Sequence, residues 1–127
     1  MNQIILVLVL MILCHLIADY PLQGWLAQAK QRGYWQRQEI DMMYWNDWIP
    51  ALICHATMWG IIVFAPIMYF SWQSLNLFWI ALPINIAIHF IVDDLKANRF
   101  IINLQQDQLA HLIQIVVTWL LWLRLIH

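Results

Sequence analysis

Four apolar runs, each about as long as a bilayer is thick, leave this chain few folds to choose from. They cover approximately residues 3–20, 48–71, 75–93 and 107–126, and a helix needs about 20 such residues to cross the hydrocarbon core. The runs do not alternate apolar and polar residues at every second position, so barrel strands are excluded. The expected architecture is all-α: one transmembrane domain spanning residues 1–127, an integral membrane four-helix bundle. Composition points the same way, with 64% of the 127 residues hydrophobic and only 10% charged. A soluble domain carries about 25% charge, and a globule this small has no core large enough to hide the apolar excess. Ordinary soluble enzymes, disordered chains and nucleic-acid binders are therefore excluded. A net charge of −1 provides no basic stripe for DNA or RNA, and two cysteines make no disulfide framework.

The first run lacks a basic leader and a small-residue cleavage site, so it is read as a retained span. Pro50 falls in the first turn of the second span and Pro66 near its far end, while Pro83 lies inside the third, where a kink is expected. Between Tyr20 and Asp47 runs the longest connection, with Lys30, Arg32 and Arg37 beside Glu39, Asp41 and Asp47. Within it Leu22, Trp25, Leu26 and Ala29 recur at helical spacing, which predicts a short interfacial helix. Tyr34, Trp35, Tyr44, Trp45 and Trp48 supply an aromatic belt. A second connection, near Trp72 to Ser74, is short and uncharged, and the third carries Lys96 and Arg99. The first and third connections share one side and hold five Lys/Arg, against Arg124 alone on the other. The positive-inside rule then places both in the cytoplasm and both termini outside.

Ionisable residues within a span cost roughly 2.5–3.5 kcal/mol each on insertion scales, so each needs a reason. Here they come as a set: His15 and Asp19, His55, His89 and Asp93, Asp107 and His111. Residues four apart share a helical face, so each His/Asp pair can point at one target. Spans one and three run toward the cytoplasm and read His-x-x-x-Asp; span four runs away from it and reads Asp-x-x-x-His. All three pairs therefore place histidine deeper, with His15, His55, His89 and His111 roughly 6–10 Å below the cytoplasmic boundary. Asp19, Asp93 and Asp107 form a shallower layer.

Imidazole and carboxylate together suit one or two divalent transition-metal ions, Zn²⁺, Mn²⁺ or Fe²⁺, and helical bundles build di-metal sites from facing helices. Such an ion would activate water and polarise a phosphoryl or acyl oxygen. The bland alternative is a hydrogen-bond network that only ties the helices together. The metal ligands expected are His15, Asp19, His89, Asp93, Asp107 and His111, with His55 a seventh ligand or the acid/base group. Lys96 and the stretch around Trp25 would hold a substrate head group; a membrane-edge anchor is the plainer role for Lys96. Asp94 is either a supporting group or an exposed helix-end acid, and Gln23 and Gln108 can donate hydrogen bonds beside the ligands. Cys14 and Cys54 are rotated about 100° from the histidines that follow them and are expected to be small buried apolar residues.

These motifs resemble a family of small bacterial and phage inner-membrane proteins, the domain-of-unknown-function 3307 family. The matching stretches are His15-Leu16-Ile17-Ala18-Asp19-Tyr20-Pro21-Leu22-Gln23, Lys30, His55, His89-Phe90-Ile91-Val92-Asp93-Asp94-Leu95-Lys96 and Asp107-Gln108-Leu109-Ala110-His111. The resemblance implies a place in the bacterial inner membrane. Its pattern looks like that of membrane proteins labelled metal-dependent hydrolases, an analogy of arrangement only. The expected function is a metal-dependent hydrolase acting on a lipid or lipid-linked phosphate or ester at the cytoplasmic leaflet. The alternatives are a proton- or cation-conducting component and a small assembly subunit. Membrane lipids are the expected partners. A homo-oligomer is also expected, although the spans carry no clear small-xxx-small seam.

Overall fold

The computed structural model describes residues 3–37, 41–71 and 75–126. The expected second connection at Trp72 to Ser74, together with Glu39 and His127, lies outside the described residues. Among the described residues every regular element is a helix. Helix α1 spans Gln3–Asp19, α2 Leu26–Ala29, α3 Arg32–Arg37, α4 Trp48–Phe70, α5 Leu75–Ala97 and α6 Leu104–Ile126, with a 3₁₀ turn at Met42–Tyr44 before α4. Three helices are long and apolar enough to cross a membrane. Helix α1 is shorter, at 17 residues, or about 26 Å at the α-helical rise.

Local chemistry explains the ends. Pro50 sits in the first turn of α4, where its missing N–H has no helical acceptor. Helix α6 starts one turn before the expected span because Asn103 and Gln106 cap it reciprocally. Asn103 Oδ1 accepts from the Gln106 N–H at 3.0 Å, and Gln106 Oε1 accepts from the Asn103 N–H at 2.9 Å. At its far end α5 continues past Asp93 to Ala97, and Phe100 then takes a left-handed φ of 56° in the turn toward α6. Both α4 and α5 remain helical through Pro66 and Pro83.

Helix α1 packs on α4 and α6, and α5 completes the ring between the same two neighbours. Its interior holds both apolar and polar residues. Buried polar groups line the middle, whereas Ile5, Leu13, Ile61, Ile84, Ile113 and Leu120 face outward. An apolar layer of Val7, Val63, Phe64, Ile67 and Trp122 closes the end of the interior away from the histidines. Ala56 and Gly60, four residues apart, are both buried on α4. A Cβ on Gly60 would lie 2.9 Å from Ile86 Cγ1 and 3.0 Å from Leu82 Cδ1. This is a small-xxx-small seam inside the bundle, which the sequence pattern did not bring out.

In the first connection, the expected single helix is two short ones. Gly24, at φ +49°, turns the chain before α2 starts, and the apolar stripe is split: Leu22 and Trp25 are exposed while Ala29 is buried. The aromatic residues hold this connection together. Trp35 meets Trp25 and Tyr34 edge-on at ring distances of 6.0 and 5.4 Å, and its indole N–H donates to the Ala29 carbonyl at 2.7 Å. Cys54 is exposed, contrary to expectation, because its rotation from His55 carries it to the outside of the bundle; Cys14 is half-buried.

Candidate metal centre

Each His/Asp pair folds as its spacing requires. His15 Nδ1 lies 3.3 Å from Asp19 Oδ2, His89 Nε2 lies 3.8 Å from Asp93 Oδ2, and His111 Nε2 lies 3.5 Å from Asp107 Oδ1. The late residues of α1 and α5 meet the early residues of α4 and α6, as alternating helix directions demand. All four imidazoles are buried, and His15, His89 and His111 gather around the Trp59 indole. Trp59 stacks on His89 at 4.3 Å and donates from Nε1 to His15 Nδ1 at 2.9 Å. His89 in turn stacks on His111 at 4.1 Å.

Among the described residues, two groups offer ligand atoms close enough together to hold a metal ion: Asp19, His55 and His89, and His89, Asp93 and His111. His89 belongs to both. In the first group His55 Nε2 is 3.2 Å from His89 Nε2 and 3.5 Å from Asp19 Oδ1, and the last pair is separated by 3.9 Å. Bonds of about 2.0–2.1 Å arranged tetrahedrally place ligand atoms about 3.3 Å apart, so small movements would close the set around an ion. Asp19 Oδ1 is buried with no hydrogen-bond partner. Leaving a buried carboxylate oxygen unpaired is costly, and an ion at this position would satisfy it. In the second group His111 Nε2 is 3.4 Å from Asp93 Oδ1.

The remaining expected residues sit beside these groups. His55 lies among the ligand atoms, with Nε2 also 3.3 Å from Asp93 Oδ2. Asp107 Oδ2 accepts from Lys96 Nζ at 2.7 Å and Gln108 Nε2 at 3.0 Å, while its Oδ1, like Asp19 Oδ1, is buried without a hydrogen-bond partner. His15 is held by Trp59, whose indole N–H donates to its Nδ1. Gln23 donates to the Asp19 carbonyl. Asp94 is buried and accepts from Arg99 Nε at 2.7 Å and from Asn98 Nδ2 at 3.1 Å, so it anchors the end of α5.

Two residues gain roles that spacing did not assign. Lys30, given no role above beyond its charge and its place in the resemblance, is buried, and its Nζ lies 2.5 Å from Asp93 Oδ2. Asn98 clamps that connection to α5. Its Oδ1 accepts from the Arg32 N–H at 2.6 Å and its Nδ2 donates to the Lys30 carbonyl at 3.2 Å. The Asn98 contact caps an otherwise unpaired first-turn N–H of α3, but nothing local in the sequence announces a partner 66 residues away.

Above the ligands opens a vestibule of about 130 Å³, lined by Asp19, Gln23, Lys30, Asp93, Lys96 and Gln108 among others. Below His89 and His111 a second polar group is buried. Gln114 Nε2 donates to Asn85 Oδ1 at 2.8 Å, as does the Thr118 hydroxyl at 3.1 Å. Compared with known proteins, the chain matches no family model, no curated protein and no solved structure.

Proposed function

We propose that this chain is a metal-dependent hydrolase of the bacterial inner membrane, acting on a lipid or lipid-linked phosphate or ester at the cytoplasmic leaflet. The observation that carries the reading is the buried, unpartnered Asp19 Oδ1 beside two histidine nitrogens at near-coordination spacing. A divalent ion there would supply an activated water and a Lewis acid for the phosphoryl or acyl oxygen. Asp19, His55, His89, Asp93 and His111 would hold it; Trp59 orients His15 and stacks on His89. Lys96, at the rim, faces the substrate head group. Helix α1 crosses the membrane with the other three, its 17 residues lying at the short end of the spanning range. The exposed apolar outer face supports insertion. The basic residues Lys30, Arg32, Arg37, Lys96 and Arg99 support a cytoplasmic site with both termini outside.

The Asn85–Gln114–Thr118 group favours a second reading, a proton or cation path continuing inward from His89. The apolar layer of Val63, Phe64, Ile67 and Trp122 stands against it, because a path would need polar groups there. Elemental analysis of detergent-purified protein, with phosphate release from a phospholipid monoester as the activity readout, separates the two. Bound Zn, Mn or Fe is expected, lost in His89→Ala and partly retained in His111→Ala, since His89 alone serves both groups. Protein without transition metal, or flux through liposomes abolished by Asp93→Asn, overturns the hydrolase reading.

A further inference from the structure

The vestibule and the ligand cluster share a residue whose position is unusual for a loop lysine. Lys30 reaches from the first connection into the bundle, is 7% exposed, and sets its ammonium 2.5 Å from Asp93 Oδ2. That oxygen is also 3.3 Å from His55 Nε2 and 3.8 Å from His89 Nε2. The ammonium therefore rests on an oxygen that faces two metal-ligating nitrogens, where a divalent ion would also bind. Two cations cannot both sit against one carboxylate oxygen in a water-poor interior without strong repulsion. A lysine has the means to leave, being a point charge on a flexible four-carbon stem, and Lys30 already lines the vestibule.

Charge bookkeeping gives the displacement a consequence. Asp19, Asp93 and Asp107 face Lys30 and Lys96, while Asp94 is balanced separately by Arg99. With neutral imidazoles the cluster is one positive charge short; a single divalent ion turns that into an excess of one. The excess appears beneath a vestibule of about 130 Å³, the space of about four waters. Lys30, Lys96, Gln23 and Gln108 bring hydrogen-bond donors to its lining, beside the Asp19 and Asp93 carboxylates whose charge a bound ion would offset. A tetrahedral oxyanion offers acceptors in as many directions.

Building on the metal-centre reading, we propose that Lys30 is a tethered cation that a bound divalent ion displaces from Asp93. The freed ammonium joins Lys96, Gln23 and Gln108 to bind a phosphate-type oxyanion, so anion binding depends on metal loading.

The test uses the full chain in micelles and an amine-acylating reagent, read by peptide mapping. Lys30 and Lys96 are the only two lysines, so the map is simple. In metal-free protein Lys30 is expected to be protected. Saturation with Zn²⁺ or Mn²⁺ should speed its acylation at least tenfold, and added inorganic phosphate should then protect it again. Phosphatidic acid in nanodiscs protecting at lower concentration than inorganic phosphate assigns the anion to a lipid head group; inorganic phosphate alone protecting assigns it to the free ion. In Lys30→Met, metal should bind about tenfold more tightly and phosphate should no longer bind the loaded protein. Stoichiometric metal with unchanged Lys30 acylation, or protection by neither probe, overturns this proposal and leaves the metal centre standing. Absence of bound metal from both wild type and Lys30→Met overturns the two together.

Discussion

Three of the four buried carboxylates among the described residues have a cationic side chain within 2.7 Å: Asp93 has Lys30, Asp107 has Lys96 and Asp94 has Arg99. Asp19 has none. Its closest side-chain neighbours are His15, His55 and Gln108, at 3.3 to 3.5 Å, and its Oδ1 is buried without a partner. Asp19→Asn keeps the shape and removes the charge, so its effect should depend on whether metal is bound. In metal-free protein the substitution removes a buried charge one of whose oxygens, Oδ1, has no hydrogen-bond partner, an effect of about 1–3 kcal/mol. Asp19→Asn should then be more stable than wild type by about 2 kcal/mol.

Metal should remove that advantage. A ligand at one hundred times its dissociation constant stabilises the folded state by about 2.7 kcal/mol. If loss of a carboxylate ligand weakens binding about a hundredfold, the same metal concentration gives the variant only about 0.4 kcal/mol. The gap of about 2 kcal/mol in favour of Asp19→Asn should therefore close to near zero on loading. Denaturant titration of both proteins in the same micelles, with chelator and with saturating Zn²⁺, measures all four values. A variant less stable than wild type in chelator would show that Asp19 is already satisfied and that the argument for a cation there is wrong. Equal metal increments for the two proteins would show that Asp19 is not a ligand.

Asn98→Ala removes both bonds from the first connection to Asn98, worth about 1–3 kcal/mol together, so local opening should rise about 5- to 150-fold. Hydrogen exchange at the Arg32 amide reads this directly, with little change in the melting of the bundle. Trp59→Phe keeps a ring against His89 but leaves His15 Nδ1 without its donor; a loss of about 2 kcal/mol is expected in denaturant titration. Gly60→Val forces a side chain into the space between α4 and α5 already closed by Ile86 and Leu82, and should cost about 1–3 kcal/mol by the same measurement.

How legible each feature was depended on the range of the physics behind it. The long helices follow from a length requirement that any stretch of apolar sequence meets or fails by itself. The convergence of His15, His89 and His111 follows from that plus the 3.6-residue period, because reversed pair order on oppositely running helices leaves one depth for the three, and His55 joins them by its place in the second span. Where the inference was one residue deep it erred: Cys54 and Leu22 were placed by rotation or spacing alone and face outward. A single Gly24 at positive φ was enough to break the interfacial stripe.

Lys30 marks the other limit. By sequence it is one of five basic residues in the first and third connections, and the positive-inside rule uses it only as a charge that resists translocation. Its partner Asp93 lies 63 residues away, and the contact exists because Asn98 ties the connection to the end of α5 and the Trp35 indole fixes the Ala29 carbonyl just before it. None of these contacts has a period or a local signature. Yet the same physics links the two descriptions: a carboxylate held in a low dielectric needs a cation nearby, and a side chain that remains on the cytoplasmic face is in position to provide one. A basic connection beside an intramembrane acidic layer should therefore be searched for a lysine that folds inward before all its charges are assigned to orientation. In this chain that search separates Lys30, which is buried against Asp93, from Arg32 and Arg37, which are exposed.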